Sequence, residues 1–442
     1  MQGNQSLGLV YIHVLGCRSS LCEGEYIAGS LKSRGALITE ELDENINAAV
    51  IVTCSVTQEA DRKCRQLVRR ARKLLGHEKI LAVCGCWSQG LDSESAKDLG
   101  INILAGSRSK NILPDIVEHA ITNHDTRFQD LRTQNIFSSA LSWEELEISS
   151  PVMHSRAFIK IQDGCNHFCS YCIIPFLRGR PVSRPEKNIL DEIHRLIDNG
   201  TQEIIFTGIH LGLYGRDIGS SLAELINSVS KIHGLKRLRL GSLEPFSLDE
   251  NLLAALSECE SFCHHLHLPL QSGDNDILAL MRRGYTAEEF IRVCDNARKF
   301  LGDDLHISSD ILTGFPTESE SAFMNTLNVM RESKLGRVHV FPFSERKGTL
   351  AERMTCKISH QEKISRVSQA ITLGRELYAD YVKRFLNHDV EILIEESGSK
   401  GHTKHFVEAG ILDEKFSPNE IIIAKAVSES NGRLECIKLN RN

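Results

Sequence analysis

The chain has 442 residues, 41% of them hydrophobic and 25% charged, with a formal net charge of −6. That is ordinary globular composition at a length for two to four domains, and it can bury a core without staples. The negative balance excludes a wholly basic nucleic-acid coat, so any RNA contact has to come from local patches.

The 14 cysteines are not spaced as a secreted disulfide framework. The first residues, "MQGNQSLGLVYIHVLG", lack a basic stretch followed by a long apolar run, and no signal peptide is expected. No window reaches the ~18 uninterrupted apolar residues of a spanning helix. A cytoplasmic protein with no membrane attachment is the expectation, and in a reducing compartment clustered cysteines bind metal or do chemistry.

Residues 8–125 alternate buried strands with helical patterns. "LVYIHVLG", "AAVIVTC", "KILAVCGC" and "INILAG" are β-branched apolar runs stopped by Gly, Ser or Cys. "EYIAGSLKSRG", "QEADRKCRQLVRRARKLLG" and "SKNILPDIVEHAI" lie between or after them with a helical apolar period. This alternation predicts an α/β domain with a doubly wound parallel sheet. Residues 126–152 are polar and aperiodic and read as a linker. From 153 to 386 the alternation resumes through "AFIKIQ", "EIIFTG", "RLRLGS", "HHLHLPL", "LHISSDILTG" and "RVHVFPF". Six β/α repeats predict an open, partial barrel rather than a closed one of eight. A long helix over roughly 359–386 closes it. The last segment, 387–442, carries four or five short strands, enough for a small β-barrel.

At the start of the second array, "GCNHFCSYC" places Cys165, Cys169 and Cys172 within eight positions. Soft thiolates at short spacing suit zinc or an iron–sulfur cluster. Zinc would want a fourth ligand, which His167 could supply; a cluster can leave one iron open to a small molecule. A C-x3-C-x2-C loop after a strand resembles the cluster loop of the radical S-adenosylmethionine enzymes. "IKIQDGCNHFCSYCIIPFLRGRPVSR", "FTGIHLGLYG", "LRLGSLEP", "LHLPLQSGDNDILALMRRGYT", "SDILTGFPTESESAF" and "FPFSERKGTLAERM" resemble, in order, the methylthiotransferases of that superfamily. The resemblance implies a partial barrel of radical-SAM type and a 4Fe–4S cluster on Cys165, Cys169 and Cys172. Its open iron would be chelated by S-adenosylmethionine, which is cleaved to a 5′-deoxyadenosyl radical. An electron donor of flavodoxin or ferredoxin type is implied, and a sulfur donor that the sequence does not identify.

Cys17, Cys54 and Cys86 each end a predicted strand of the first domain. Ligand groups of an open α/β sheet gather at the carboxyl ends of its strands, which predicts that these three converge. The resemblance implies that they hold a second 4Fe–4S cluster, the one that carries or relays sulfur. "GCWSQ" resembles the family's G-C-x-x-Q and selects Cys86 over Cys84, which is assigned to the core. Ser20 and Val52 stand where the family usually has Asn, a change in the groups around the cluster sulfurs.

"CSVTQEADRKCRQLVRR" resembles the branch acting on N6-threonylcarbamoyladenosine at position 37 of tRNA. The same chemistry on isopentenyladenosine or on a ribosomal-protein aspartate is the alternative. A non-catalytic RNA-binding protein with structural zinc at both cysteine sets is a rival of another class. Arg62, Lys63, Arg65, Arg69, Arg70, Arg72 and Lys73 form a basic helix suited to phosphates or simply to solvent. Arg178, Arg180 and Arg184 are a second candidate patch. The tail resembles the TRAM module, an RNA-binding barrel. His402 and Phe406 stand for its usual tyrosines and are expected to stack on bases, unless the barrel only docks on the catalytic domain.

Overall fold

The computed structural model describes residues 7–138, 142–148, 150–395 and 398–439. In the first domain the strands are β1 (Gly8–Val14), β2 (Ala36–Thr39), β3 (Ala48–Thr53), β4 (Ile80–Gly85), β5 (Ile103–Leu104) and β6 (Gln129–Asp130). They form one sheet in the order β2-β1-β3-β4-β5-β6, parallel throughout. β3 and β4 are buried along their whole length because helices cover both faces, which is why they read as unbroken apolar runs. β6 pairs with β5, so the sheet continues into the stretch that the sequence assigns to a linker.

The central domain holds β7 (Ala157–Lys160), the two-residue strands β8 (Gln162–Asp163) and β9 (Val182–Ser183), then β10 (Glu203–Thr207), β11 (Arg237–Leu240), β12 (His265–His267), β13 (His306–Thr313) and β14 (Arg337–Pro342). Six of these make a parallel curve in the order β7-β10-β11 and β12-β13-β14. Single bridges, Leu238–Phe262 and Ser242–His267, stitch its halves together. Among the described residues β14 does not pair back to β7, so the barrel is open as expected.

The first domain packs along both sides of the gap. Its helix Arg18–Ser33 lies against β7, contributes Cys22 to the central core, and sets Ser19 Oγ 3.4 Å from Thr207 Oγ1. On the other side Arg346, beyond β14, donates to Ser55 Oγ and to Asp61 at 2.7 Å.

The long helix spans His360–Lys383. After it β15 (Asp389–Ile394), β16 (Lys400–Thr403), β17 (Glu408–Ile411), β18 (Ile421–Ser430) and β19 (Arg433–Lys438) close into a five-stranded barrel. This barrel docks on the amino ends of the central strands. Arg237 and Arg239 of β11 donate to the carbonyls of His402, Thr403 and Lys404 at 3.2–3.3 Å. No helix among the described residues is long and apolar enough to cross a membrane.

Candidate functional site

In the order 2-1-3 the chain reverses direction across the sheet between β1 and β3, and a crevice opens beyond their carboxyl ends. Cys17 and Cys54 follow those two strands, and Cys86 follows β4 as the first residue of the short helix Cys86–Gly90. Gly85 makes that turn at φ +107°; a Cβ there would lie 2.4 Å from the Thr53 carbonyl oxygen. The three thiols meet closely enough to perturb one another. Burial first, then the neighbouring Cys86 and Cys17, push the Cys54 thiol up to about 12. Cys84 sits in the apolar cluster of Val10, Ile12, Val50 and Ile103, as the sequence predicts for a core residue.

The central loop is folded by its own backbone. Gly164 turns at φ +77°, where a Cβ would strike the Arg180 carbonyl at 2.0 Å. The amide of Cys165 donates to Gly179 O and that of Cys172 to Cys169 O, each at 3.0 Å. The His167 amide points at Cys165 Sγ, 3.4 Å away. Burial raises all three thiols, and Cys165 reaches about 11. Cys54 and Cys86 are buried, the three thiols of the central loop are partly so, and Cys17 is exposed; gathered soft thiolates of this kind suit an iron–sulfur cluster.

Three soft thiolates in each set are also the donor chemistry that an iron–sulfur cluster takes.

Charged and aromatic groups around the cysteines complete the site. Arg178, fully buried, donates from Nε to Cys86 Sγ at 3.1 Å while its Nη1 meets Glu23 at 2.8 Å and Asp163 at 3.1 Å. Lys160 bridges the same two carboxylates, and Lys110 lies 3.4 Å from Glu23. This network cements the domain interface and faces Cys86 with a cation. At the other set Arg283, also buried, points Nη1 at Cys169 Sγ (3.3 Å) and ion-pairs with Glu244. His210 places Nδ1 3.6 Å from Cys165 Sγ; burial holds its ring neutral, down to about 4. The Nε2 atoms of His210 and of neighbouring His167 are buried without a hydrogen-bond partner.

A cavity of about 690 Å³ opens beside Cys17 and Cys54. Cys17 and Cys54 line one side, and Tyr171, Gln271, Asp310 and Phe343 line the other. Tyr171 lies within the central cysteine loop itself. Ala60 and Lys63 of the helix Gln58–Leu75 form part of its rim.

Several expectations need correction. Arg178 and Arg184 are no RNA patch: both are buried, Arg178 as above and Arg184 in ion pairs with Glu192 and Glu145. Arg180 donates to Ser138 O. On the basic helix Arg72 is structural, bonded to Gly76 O, Lys79 O and Asn102 Oδ1. Arg65, Arg69 and Lys73 stay exposed and line a shallow pocket with Ser95 and Asp98. His402 and Phe406 do not face outward. They stack on each other at 4.6 Å, and Phe406 fills the foot of the open barrel against His265 and Arg239. Arg283, Glu244 and His210 were missed as site residues although "MRRGYT", "LEP" and "GIHLG" contain them. Nothing local tells a buried charge aimed at a thiol from a surface one.

Two family models match: the radical SAM superfamily over residues 159–330 and the uncharacterized protein family UPF0004 over 9–106. The chain is 33% identical to the threonylcarbamoyladenosine tRNA methylthiotransferase MtaB of Bacillus subtilis, over 88% of this chain and 86% of that one. It is 32% identical to the tRNA-2-methylthio-N(6)-dimethylallyladenosine synthase of Syntrophus aciditrophicus, over 87% and 83%. Among solved structures, the radical S-adenosylmethionine methyltransferase TsrM of Kitasatospora setae, with cobalamin and a [4Fe-4S] cluster bound, superimposes with a TM-score of 0.54 at 13% identity. That match covers 76% of this chain and 72% of that one, and it bears on the fold alone.

Proposed function

The chain belongs to the radical S-adenosylmethionine tRNA methylthiotransferases, enzymes that work with 4Fe–4S clusters and S-adenosylmethionine, and from that premise we propose that it methylthiolates carbon 2 of N6-threonylcarbamoyladenosine at position 37 of tRNA. The observation that carries this reading is a cavity lined by Cys17 and Cys54 of one set and by Tyr171 from the loop that bears the other. Cys165, Cys169 and Cys172 would hold the cluster that binds S-adenosylmethionine, and Cys17, Cys54 and Cys86 the second. Bound there, these groups supply reductive cleavage of S-adenosylmethionine and a transferable sulfur.

The residues of this chain bind, orient and exclude water. Arg283 and Arg178 place cations against Cys169 and Cys86, favouring the thiolate form that ligates metal. The cavity is of a size for a base turned out of its stack. The exposed Arg65, Arg69 and Lys73, on the helix that also borders its rim, suit the flanking phosphates.

For the nucleoside, Lys63 is the supporting feature. It puts a cation on the cavity rim, where the carboxylate of the threonylcarbamoyl group would find a partner and an isopentenyl group would not. Leu312, Phe341 and Phe343 in the same wall favour the second reading, isopentenyladenosine. Cytoplasmic action and an electron donor of flavodoxin or ferredoxin type complete the proposal.

Mass spectrometry of tRNA nucleosides from cells with and without the gene tests it. Loss of the 2-methylthio form of the threonylcarbamoyl nucleoside is expected, and loss of the isopentenyl form alone would overturn the substrate assignment. With purified enzyme, Cys165→Ala should end formation of 5′-deoxyadenosine, whereas Cys54→Ala should keep it and lose methylthiolation. Equal loss in both would refute separate roles for the two sets.

A further inference from the structure

At the foot of the central domain, opposite the cysteine-bearing ends of the strands, His264 precedes β12 and Asp304 lies two residues before β13. His405, from the turn between β16 and β17, reaches them from the small barrel. One donor atom of each lies within 4.8 Å of the other two. His405 Nε2 is 2.9 Å from Asp304 Oδ2, His264 Nδ1 is 3.7 Å from Asp304 Oδ1, and the two imidazoles sit edge to face at 5.4 Å. We infer that His264, Asp304 and His405 form a divalent-cation site of the zinc class that staples the barrel to the central domain.

Three observations carry the inference. The donor set, two imidazole nitrogens and one carboxylate oxygen, is one that zinc takes, with a fourth position left for water. Asp304, half exposed, opens that position to solvent. Second, His264 Nδ1 is shut off from solvent and has no hydrogen-bond partner, although its ring is partly exposed. A polar atom sealed in without a partner is costly, and a cation between the three side chains would satisfy it.

Third, the backbone around the ligands is held in place from outside the cluster. Tyr381 Oη donates to Asp304 O and His306 Nδ1 to His405 O, both at 2.6 Å, and Arg384 donates to Asp303 O at 3.0 Å. The Phe385 ring packs on His405 at 4.8 Å. The nearest lysine of the turn, Lys404, leans toward Glu391 at 3.9 Å. Closing the donors to the ~3.3 Å edge of a tetrahedral zinc site, from bonds of about 2.0–2.1 Å, is a small contraction of a preformed set.

The location assigns the role. In β/α barrels chemistry sits at the carboxyl ends of the strands and the amino ends serve stability. A cation here bonds residues of the central domain to one of the barrel and touches neither cysteine set.

The test uses full-length protein with its clusters reconstituted anaerobically, incubated with Zn²⁺ and desalted, with zinc, iron and sulfide measured together. Wild type should retain one zinc per chain with iron and sulfide unchanged. Zinc should also raise the midpoint at which the barrel becomes open to protease near residues 384–390. His264→Ala removes a ring with no hydrogen bond at Nδ1, so folding and iron content should survive. Its zinc affinity should fall by about 100-fold or more, since even changes behind a ligand cost ~10–100-fold. Asp304→Asn should weaken binding in the same direction. Equal zinc in wild type and His264→Ala, no retained zinc in wild type, or zinc gained only as iron is lost would each overturn the site.

Discussion

Replacing Phe406 by alanine separates a docking ring from an RNA-stacking one. The ring lies 4.8 Å from the Arg239 guanidinium, 5.8 Å from those of Arg18 and Arg156, and 4.8 Å from the His265 ring. Its backbone sits at φ +58°, a region an aromatic residue occupies only when its surroundings hold it there. Deleting a fully buried Phe costs about 3–5 kcal/mol. Phe406 is half-buried, so about 1.5–2.5 kcal/mol is a fair share of that range. The nearest cation–π contact adds about 0.5–1 kcal/mol, and the two longer ones add less. Together they predict a loss of about 2–4 kcal/mol in docking, or roughly 30- to 700-fold in the equilibrium between docked and undocked barrel. Hydrogen exchange through residues 400–411 and cleavage near 384–390 read that equilibrium directly. If exchange there were unchanged while tRNA affinity dropped about tenfold, the ring would be working on RNA and the docking argument would fail.

Other predictions address the remaining sites. Gly85→Ala adds a Cβ 2.4 Å from Thr53 O at φ +107°, so the turn must shift and carry Cys86 with it; iron content should fall to about half of wild type, with 5′-deoxyadenosine formation retained, as only one cluster site is disturbed. Changing Arg65, Arg69 and Lys73 together, with Arg72 left intact, should flatten the log–log salt dependence of tRNA binding by about 2–3, at ~0.7–0.9 per phosphate; an unchanged slope returns this helix face to solvent. His306 is held neutral in the seam beneath the barrel, burial lowering it from 6.5 to about 3. The unfolded chain therefore binds the extra proton between those values, and the stability this ring contributes is complete above pH 6.5 and lost as pH falls toward 3. At pH 4.5 the loss is up to about 2.7 kcal/mol, at 1.36 per unit, and thermal unfolding of His306→Gln should lack that acid limb.

What the sequence alone determined rests on short-range rules. Three cysteines within eight positions share one loop whatever surrounds them, so Cys165, Cys169 and Cys172 are legible as a set. Cys17, Cys54 and Cys86 are far apart, yet each follows a strand of a parallel sheet, and the geometry of such sheets brings the carboxyl ends together. The open barrel and the small closed one follow from counting apolar runs. The charged residues were different. Arg178, Arg184 and Arg72 look like solvated cations in sequence, because the carboxylates and carbonyls that bury them lie elsewhere in the chain; Glu23, for instance, stands 155 positions from Arg178. His402 and Phe406 keep planar rings where an RNA-binding module would have tyrosines, but Arg239 and His265, from strands of another domain, enclose Phe406. Local pattern fixes which face of an element is apolar, since helix and strand periods are short. Which charge is buried, and against what, depends on partners brought close only by the docking of three domains, and only the tertiary structure decided it.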